Sequence, residues 1–140
     1  MPVAEMQKEH YRPSDQEPFM CERQQRYFRE KLQTWKSDIL REARETLGAL
    51  ASESVGYADA TDRASNETDR SVELRTRDRQ RKLIGKIDAA LRRLDEGDYG
   101  YCEETGEPIS IGRLDARPIA TLTIEAQERH ERRERVYRGD

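Results

Sequence analysis

The chain has 140 residues, of which 39% are charged and only 34% are hydrophobic, and its 26 basic and 29 acidic side chains leave a net charge of −3. This length fits one modest domain, or a small globular part with one extended element. A nearly balanced charge lacks the basic footprint of a stand-alone DNA or RNA binder. We therefore expect no direct sequence-specific binding of nucleic acid.

The lengths of the apolar runs and the spacing of the cysteines indicate the cellular compartment of the protein. No apolar run approaches the length of a membrane span, and the N-terminus lacks the pattern of a secretory signal. The two cysteines, Cys21 and Cys102, are far apart in sequence, so reduced thiols are expected. We expect a cytoplasmic monomer that does not contact a membrane.

The first predicted element is a long helix that follows a polar N-terminal segment. Residues 1–17 have no sustained period and are interpreted as a mobile tail or as an arm packed on the body. From Cys21 onward, apolar side chains recur at steps of mostly three and four, which predicts a helix with one buried stripe. The stripe consists of Phe28, Leu32, Trp35, Ile39, Ala43, Thr46 and Leu50.

A second long helix is predicted after a reversal of the chain between Leu50 and Arg63, where small and turn-favouring residues dominate. It stops at Gly97, as a helix C-terminal glycine would. Its stripe consists of Val72, Arg79, Leu83, Ile87, Ala90 and Leu94. At about 45 Å each, the two helices predict an antiparallel coiled-coil hairpin over residues 18–97 with its tip at 55–64. Such length suits reaching into a partner, and a plain scaffold helix pair is the alternative.

The stretch after Gly97 keeps the spacing of a four-cysteine zinc knuckle, C-x2-C-x17-C-x2-C, but has lost three cysteines. The four ligand positions hold Cys102, Thr105, Thr123 and Ala126. A structural zinc site needs four good donors, so we predict a small zinc-finger-like domain over 98–126 that binds no zinc. Apolar packing by Leu114, Ile119, Leu122 and Ile124 is expected to offset the missing metal.

A charged C-terminal helix within residues 122–140 completes the predicted chain. The fold class is therefore all-α, or mainly helical. It combines a long antiparallel coiled-coil hairpin with a small zinc-finger-like globular domain and a C-terminal helix.

The run GYCEETGEPISIGRLDARP resembles the DksA/TraR family of bacterial transcription factors, whose signature is C-x2-C-x3-I-x3-R-x4-P-x4-C-x2-C. Cys102, Ile109, Arg113 and Pro118 stand at the expected spacings, and the segments ADATDRA and VELRTRDRQRKLIGKI are also similar. The resemblance covers roughly residues 18–128. With three cysteines absent, the chain is identified as a member of the zinc-independent branch.

The resemblance implies a transcription regulator that is not an enzyme. In this family the coiled coil enters the secondary channel of bacterial RNA polymerase and changes the lifetime of promoter complexes. With the alarmone ppGpp, the expected result is inhibition of ribosomal RNA promoters and activation of some biosynthetic promoters, as in the stringent response. The family's tip motif, Asp-x-x-Asp-x-Ala, corresponds to Asp59, Asp62 and Ala64.

The tip residues and the polymerase-binding arginine also have structural interpretations. Asp62 just before a helix is a good N-cap, Asp59 is common in turns, and Ala64 is a good helix former. The family suggests that Arg79 contacts the polymerase. We predict it on the seam of the second helix, where its stem covers apolar surface, and a solvated arginine in a shifted register is the alternative.

The family's ppGpp-binding positions correspond to Lys86 and Arg117, while a third basic position holds Gln127. Paired phosphates favour Arg and Lys together, so the loss of one positive charge is expected to weaken the nucleotide site. Arg113 or Arg129 is a possible replacement.

Two other functions remain open at this point. A transcript-cleavage factor would lend Asp59 and Asp62 to the polymerase to hold a second magnesium ion. A bare coiled-coil adaptor would have no role at the polymerase. An independent enzyme is not expected, because His10 and His130 lie in charged surroundings without a nucleophile motif or a Gly-rich phosphate loop.

Overall fold

The computed structural model describes residues 11–53 and 60–138. These residues are mainly helical, with α1 at Glu22–Glu53, α2 at Ala60–Glu96, α3 at Ile111–Ala116 and α4 at Ile124–Arg138. The predicted fold class, two long helices followed by a small domain and a C-terminal helix, is confirmed. Among the described helices, none combines the length and the apolar character that crossing a membrane requires.

The chain divides into two compact units, and both long helices contribute to each. The helix-pair unit is Leu32–Ala89, and the knuckle unit is Met1–Lys31 together with Ala90–Asp140. In the helix-pair unit, Lys36 Nζ lies 2.7 Å from Asp88 Oδ1. Leu32, Ile39 and Ile87 are buried in this unit, whereas several large apolar side chains stay exposed, namely Leu40, Leu47, Val72 and Leu74.

The seam of α2 differs from the predicted stripe in its N-terminal part. The sequence predicts Val72 and Arg79 on the seam, but both are exposed. The partly or fully buried positions are instead Glu73, Thr76, Arg77, Gln80, Leu83, Ile84 and Ile87. Residues that face a partner helix recur every 3.5 residues, whereas a straight helix has 3.6 residues per turn, so a fixed helix face rotates away from the partner by about 20° per heptad. The predicted apolar stripe therefore no longer faces α1 at the positions before Leu83.

The knuckle unit contains the larger apolar core. Arg29 and Asp95 pair at 2.8 Å between the parts of α1 and α2 that belong to this unit. Its buried apolar residues come from both helices and from the chain that follows them: Phe28, Ala90, Leu94, Tyr99, Cys102, Ile109, Ile111, Leu114, Ile119, Ala120 and Ala126. The small domain is thus built around a packed hydrophobic centre.

Helix α2 ends in a Schellman motif at Gly97. The Asp98 N–H donates to Arg93 O at 2.9 Å and the Gly97 N–H donates to Leu94 O at 3.4 Å. Gly97 has φ +84°, a conformation that residues with a Cβ adopt at a cost. The predicted stop of the helix at this glycine therefore has a local cause, and the chain turns directly into Tyr99 and the knuckle.

Residues 11–21 form an arm that packs within the knuckle unit. Tyr11 donates a hydrogen bond to Glu17 at 2.8 Å. The buried Gln24 side chain accepts from the Met20 N–H at 2.8 Å and donates to Ser14 O at 3.1 Å. Met20 has φ +53°, and its two hydrogen-bonding partners, Gln24 and Gln25, offset that strain. Hydrogen bonds thus tie the described part of the arm to the start of α1.

Candidate functional site

Thr105 and Thr123 both make hydrogen bonds to Cys102, which is only 3% exposed. Thr123 and Ala126 are also buried, while Thr105 is exposed. The Thr123 hydroxyl donates to Cys102 Sγ at 3.9 Å. A hydroxyl–sulfur hydrogen bond therefore joins two positions that the four-cysteine spacing assigns to metal ligands.

Thr123 is also the N-cap of α4. Its Oγ1 accepts a hydrogen bond from the Ala126 N–H at 3.2 Å, and its main-chain oxygen accepts from the Gln127 N–H at 2.9 Å. A threonine side chain at this position satisfies one of the orphan N–H groups of the first turn. The predicted C-terminal helix accordingly begins at Ile124, directly after Thr123.

Main-chain hydrogen bonds hold the first turn of the knuckle. The Cys102 N–H donates to Glu107 O at 2.8 Å, and the Gly106 N–H donates back to Cys102 O at 2.8 Å. Thr105 Oγ1 accepts from the Glu107 N–H at 3.2 Å. The turn around Cys102 is therefore closed by hydrogen bonds of its own.

The Cys102 thiol is the titratable group at the centre of this arrangement. Burial alone would raise the pKa of Cys102, but hydrogen bonds from the Thr105 side chain and from the main chain at Thr123, Thr105 and Glu104 lower it to about 7. The same turn that would orient a ligand sulfur thus favours a thiolate.

These four residues do not fit a structural zinc ion. Ala126 offers no donor atom, and the Thr123 hydroxyl is already engaged with Cys102 and with the first turn of α4. Within the described residues, no group of three or more His, Cys, Asp or Glu side chains is arranged to hold a metal. Zinc in proteins is bound by thiolates, imidazoles and carboxylates, so one cysteine beside two threonines and an alanine is a poor donor set.

The tip residues are described only in part. Asp59 lies outside the described residues, and Asp62 and Ala64 are described as helical backbone without their side chains. Asp62 lies inside the described helix α2 and not just before it, so the predicted N-cap position for Asp62 is wrong.

Arg79 lies on an open groove along the exposed surface of α2. Its guanidinium donates to Thr76 Oγ1 at 3.4 Å, and Arg75 donates to Ser71 Oγ at 3.3 Å. The groove is lined by Ser71, Val72, Leu74, Arg75, Asp78 and Arg79. Exposed apolar and basic side chains therefore lie together at the place where the sequence predicts a polymerase contact.

The three predicted ppGpp positions belong to different units. Lys86 is exposed in the helix-pair unit, whereas Arg117 and the half-buried Gln127 belong to the knuckle unit. Gln127 Oε1 accepts a hydrogen bond from Arg113, whose Nε also donates to Leu122 O at 3.0 Å. The structure thus brings Arg113 to the position that lacks a basic residue.

Sequence reasoning missed a polar cluster formed by Tyr27, Lys31 and Asp115. Asp115 Oδ1 accepts hydrogen bonds from Tyr27 Oη at 2.5 Å and from Lys31 Nζ at 2.6 Å. The i,i+4 spacing of Tyr27 and Lys31 indicates a shared helix face. No local signal connects that face with a residue of α3, so the cluster is visible only in the folded chain.

Comparison with known proteins gives consistent matches over nearly the whole chain. Residues 24–94 match the family described as DnaK suppressor protein DksA, N-terminal domain, and residues 97–132 match the prokaryotic dksA/traR C4-type zinc finger. The chain is 65% identical over 135 residues to the RNA polymerase-binding transcription factor DksA of Caulobacter vibrioides, covering 96% of this chain and 95% of that protein.

Relatives with lower sequence identity match the chain over a similar length. The protein of the same name from Escherichia coli K12 is 40% identical over 131 residues, covering 94% of this chain and 87% of that protein. The solved structure of transcription factor DksA2 from Pseudomonas aeruginosa superposes with a TM-score of 0.78 at 46% identity, covering 84% of this chain and 90% of that one.

Proposed function

The chain belongs to the DksA family, and we propose that it is a cytoplasmic transcription regulator that binds bacterial RNA polymerase through the secondary channel. The observation that carries the proposal is the 65% identity, over 96% of the chain, to a protein named for binding RNA polymerase. The proposed active form is a monomer that catalyses no reaction and reads no DNA sequence.

The proposed contacts with polymerase lie on the hairpin at residues 18–97. Asp59, Asp62 and Ala64 at the tip, within 55–64, act near the catalytic centre. Arg79 contacts the polymerase, and its exposure beside Val72 supports that role. Exposed apolar side chains flanked by arginines suit a protein partner, because aromatic, apolar and arginine side chains dominate the centres of interfaces.

The proposed effect is destabilisation of open complexes together with ppGpp. Ribosomal RNA promoters are inhibited and some biosynthetic promoters are activated, as in the stringent response. Lys86 and Arg117 bind the phosphates. Gln127 lacks the positive charge of the third family position, and the Arg113 guanidinium bonded to it supports a partial replacement.

We propose in addition that this function needs no zinc. The argument is the donor set of the 98–126 domain, in which Thr123 caps a helix and Ala126 packs in the core instead of ligating a metal. Packing and hydrogen bonds then supply the stability that zinc contributes in four-cysteine relatives.

The decisive experiment measures the lifetime of open complexes at a ribosomal promoter with purified polymerase, with and without ppGpp. Wild-type protein should shorten the lifetime, and ppGpp should increase the effect. Asp62→Asn should abolish the effect while binding polymerase normally, because only the tip charge changes. Asp69→Asn, an exposed residue farther along α2, is the matched control and should behave as wild type.

The same reagents test the alternatives. An Asp62→Asn variant with full activity would contradict the tip assignment. Shortened RNA from a backtracked complex would favour a cleavage factor, and failure to bind core polymerase would favour an adaptor.

A further inference from the structure

The cluster of Tyr27, Lys31 and Asp115 joins the first turns of α1 to the short helix α3 within the knuckle unit. Besides the two bonds to Asp115 Oδ1, Lys31 Nζ donates to the main-chain oxygen of Asp115 at 2.6 Å. Burial alone would raise the pKa of Asp115, but the hydrogen bonds from Lys31 and Tyr27 hold it below its usual value. The cluster is therefore a charged and fully connected network.

Lys31 acts as a C-terminal cap for α3. Asp115 is the second-last residue of this helix, where main-chain oxygens have no partner inside the helix. A lysine at this end satisfies such an oxygen and complements the negative end of the helix dipole. The end of α3 is thereby fixed to α1, two residues before Arg117.

The chain on the other side of Arg117 is fixed as well. The buried Tyr99 hydroxyl donates to Pro118 O at 2.7 Å. Arg117 itself donates its N–H to Arg113 O at 2.8 Å and accepts at its main-chain oxygen from the Ala120 N–H at 3.0 Å. Because Pro118 also restricts the backbone of the residue before it, the Arg117 main chain has little freedom.

The Arg117 side chain, in contrast, is exposed to solvent. Its backbone is thus anchored on both sides, by Lys31 and Asp115 before it and by Tyr99 and Pro118 after it, while the guanidinium is available to a ligand. An arginine that binds phosphates bidentately loses less entropy on binding when its backbone is already ordered.

We propose that Tyr27, Lys31 and Asp115 are positioning residues that orient Arg117 toward the phosphates of ppGpp. This inference rests on the proposed function, in which Arg117 binds the alarmone, and it adds a set of residues that do not touch the ligand. The cluster determines the ppGpp concentration that is needed for a response, and the tip determines the effect of the polymerase-bound protein on open complexes.

The test compares Lys31→Met with Lys36→Met. Both changes keep an apolar stem and remove a lysine from an ion pair of similar exposure, at 38% for Lys31 with Asp115 and 34% for Lys36 with Asp88. The readout is the ppGpp concentration that gives half of the maximal effect on open-complex lifetime, with the protein at saturating concentration. The activity without ppGpp and the maximal effect are measured in the same titration.

We expect Lys31→Met to raise the half-maximal ppGpp concentration roughly threefold to tenfold while the maximal effect and the ppGpp-independent activity stay unchanged. Lys36→Met should remain within about twofold of wild type. Tyr27→Phe, which removes only a hydroxyl, should shift the titration in the same direction by less. It also provides a folded variant if Lys31→Met unfolds.

The outcomes separate this inference from the proposed function. Equal titrations for Lys31→Met and Lys36→Met, or a loss of ppGpp-independent activity in Lys31→Met and Tyr27→Phe, overturn the positioning role. A wild-type response in Arg117→Ala overturns the assignment of Arg117 to ppGpp and the inference with it. A wild-type protein with no ppGpp response refutes the alarmone part of the proposed function.

Discussion

The Thr123 hydroxyl makes two hydrogen bonds at a position where the four-cysteine spacing has a thiolate. It accepts from the Ala126 N–H and donates to Cys102 Sγ. An N-cap bond of this kind typically contributes about 1 kcal/mol. The residue that replaces a ligand therefore stabilises the same junction between the knuckle and α4 by local hydrogen bonding.

The lowered pKa of Cys102 predicts a pH dependence of stability. The folded protein holds the pKa of Cys102 at about 7, against an ordinary value of 9.0. Between these values the unfolded chain binds more protons than the folded one, so the free energy of unfolding should rise with pH. A shift of this size corresponds to roughly 2.7 kcal/mol, which is fully present above pH 9 and is lost as the pH falls from 9 through 7.

Urea unfolding at pH 7 and pH 9 measures this effect against Cys102→Ser. The serine variant removes the thiol and should lose the part of the slope that Cys102 contributes. If wild type and Cys102→Ser change equally between the two pH values, hydrogen bonding does not stabilise a thiolate at this position.

At the scale of the elements, the junction between α2 and the knuckle depends on two glycines. Both have positive φ angles, +84° for Gly97 and +91° for Gly100. A Cβ on Gly97 meets no atom within 4 Å, whereas a Cβ on Gly100 would lie 3.0 Å from Phe19 Cζ and 3.0 Å from Met20 Cε. An alanine would thus meet backbone strain at both positions, and at Gly100 it would also meet closely packed side chains.

The pair Gly97→Ala and Gly100→Ala separates these effects. Each alanine should cost about 1 to 2 kcal/mol in backbone strain. Gly100→Ala should cost roughly 1 kcal/mol more, because the arm at Phe19 and Met20 must move. Thermal unfolding of both variants measures the difference, and equal losses would indicate that the arm does not pack against Gly100 in solution.

The elements that sequence predicts well are those with strong local signals. Phe28, Leu32 and Ile39 fall on one stripe of α1 and are buried, and Gly97 ends α2. The polar part of the α2 seam has no apolar signal at Glu73 and Arg77, so the sequence wrongly predicts Val72 and Arg79 there. Which residues of α2 face α1 depends on the supercoiling of the two helices, and supercoiling depends on the partner helix as well as on α2 itself.

In the candidate site, too, the parts with local sequence signals are predictable and the long-range contacts are not. The positions of Cys102 and Thr123 are predictable, because the four-cysteine spacing lies within one continuous segment. The packed arm and the link from Lys31 to Asp115 join segments that are distant in sequence, so no periodicity reports them. Gln24 is an intermediate case, since it lies one helical turn before Phe28 and thus on the predicted stripe, although a buried glutamine is unusual.

At the scale of the whole molecule, the question is whether folding depends on a metal. Zinc contributes about 10 to 16 kcal/mol in isolated zinc-finger peptides, far more than any one hydrogen bond. The knuckle unit has a different source of stability, because Ile109, Leu114 and Ala126 are fully buried in its core. Fully burying a large aliphatic side chain contributes about 1.5 to 3 kcal/mol, so several of them compensate in part for a lost ion.

Restoring the missing cysteines tests this compensation. The purified wild-type protein should contain much less than one zinc per chain, and its thermal unfolding should be unchanged by EDTA. The triple variant Thr105→Cys, Thr123→Cys, Ala126→Cys supplies four thiolates at the right spacing. It should therefore bind one zinc and become sensitive to EDTA.

Without zinc, the triple variant should be less stable than wild type by at least about 1 kcal/mol, because a cysteine side chain caps α4 less well than the hydroxyl of Thr123 does. This loss of stability would show that the threonine at position 123 stabilises the metal-free fold better than a cysteine does. If the metal-free triple variant matched wild type, the Thr123 hydrogen bonds would contribute nothing to folding. Stoichiometric zinc in the wild-type protein would contradict the metal-independent fold altogether, since Cys102 would then have to recruit donors that the described structure does not place beside it.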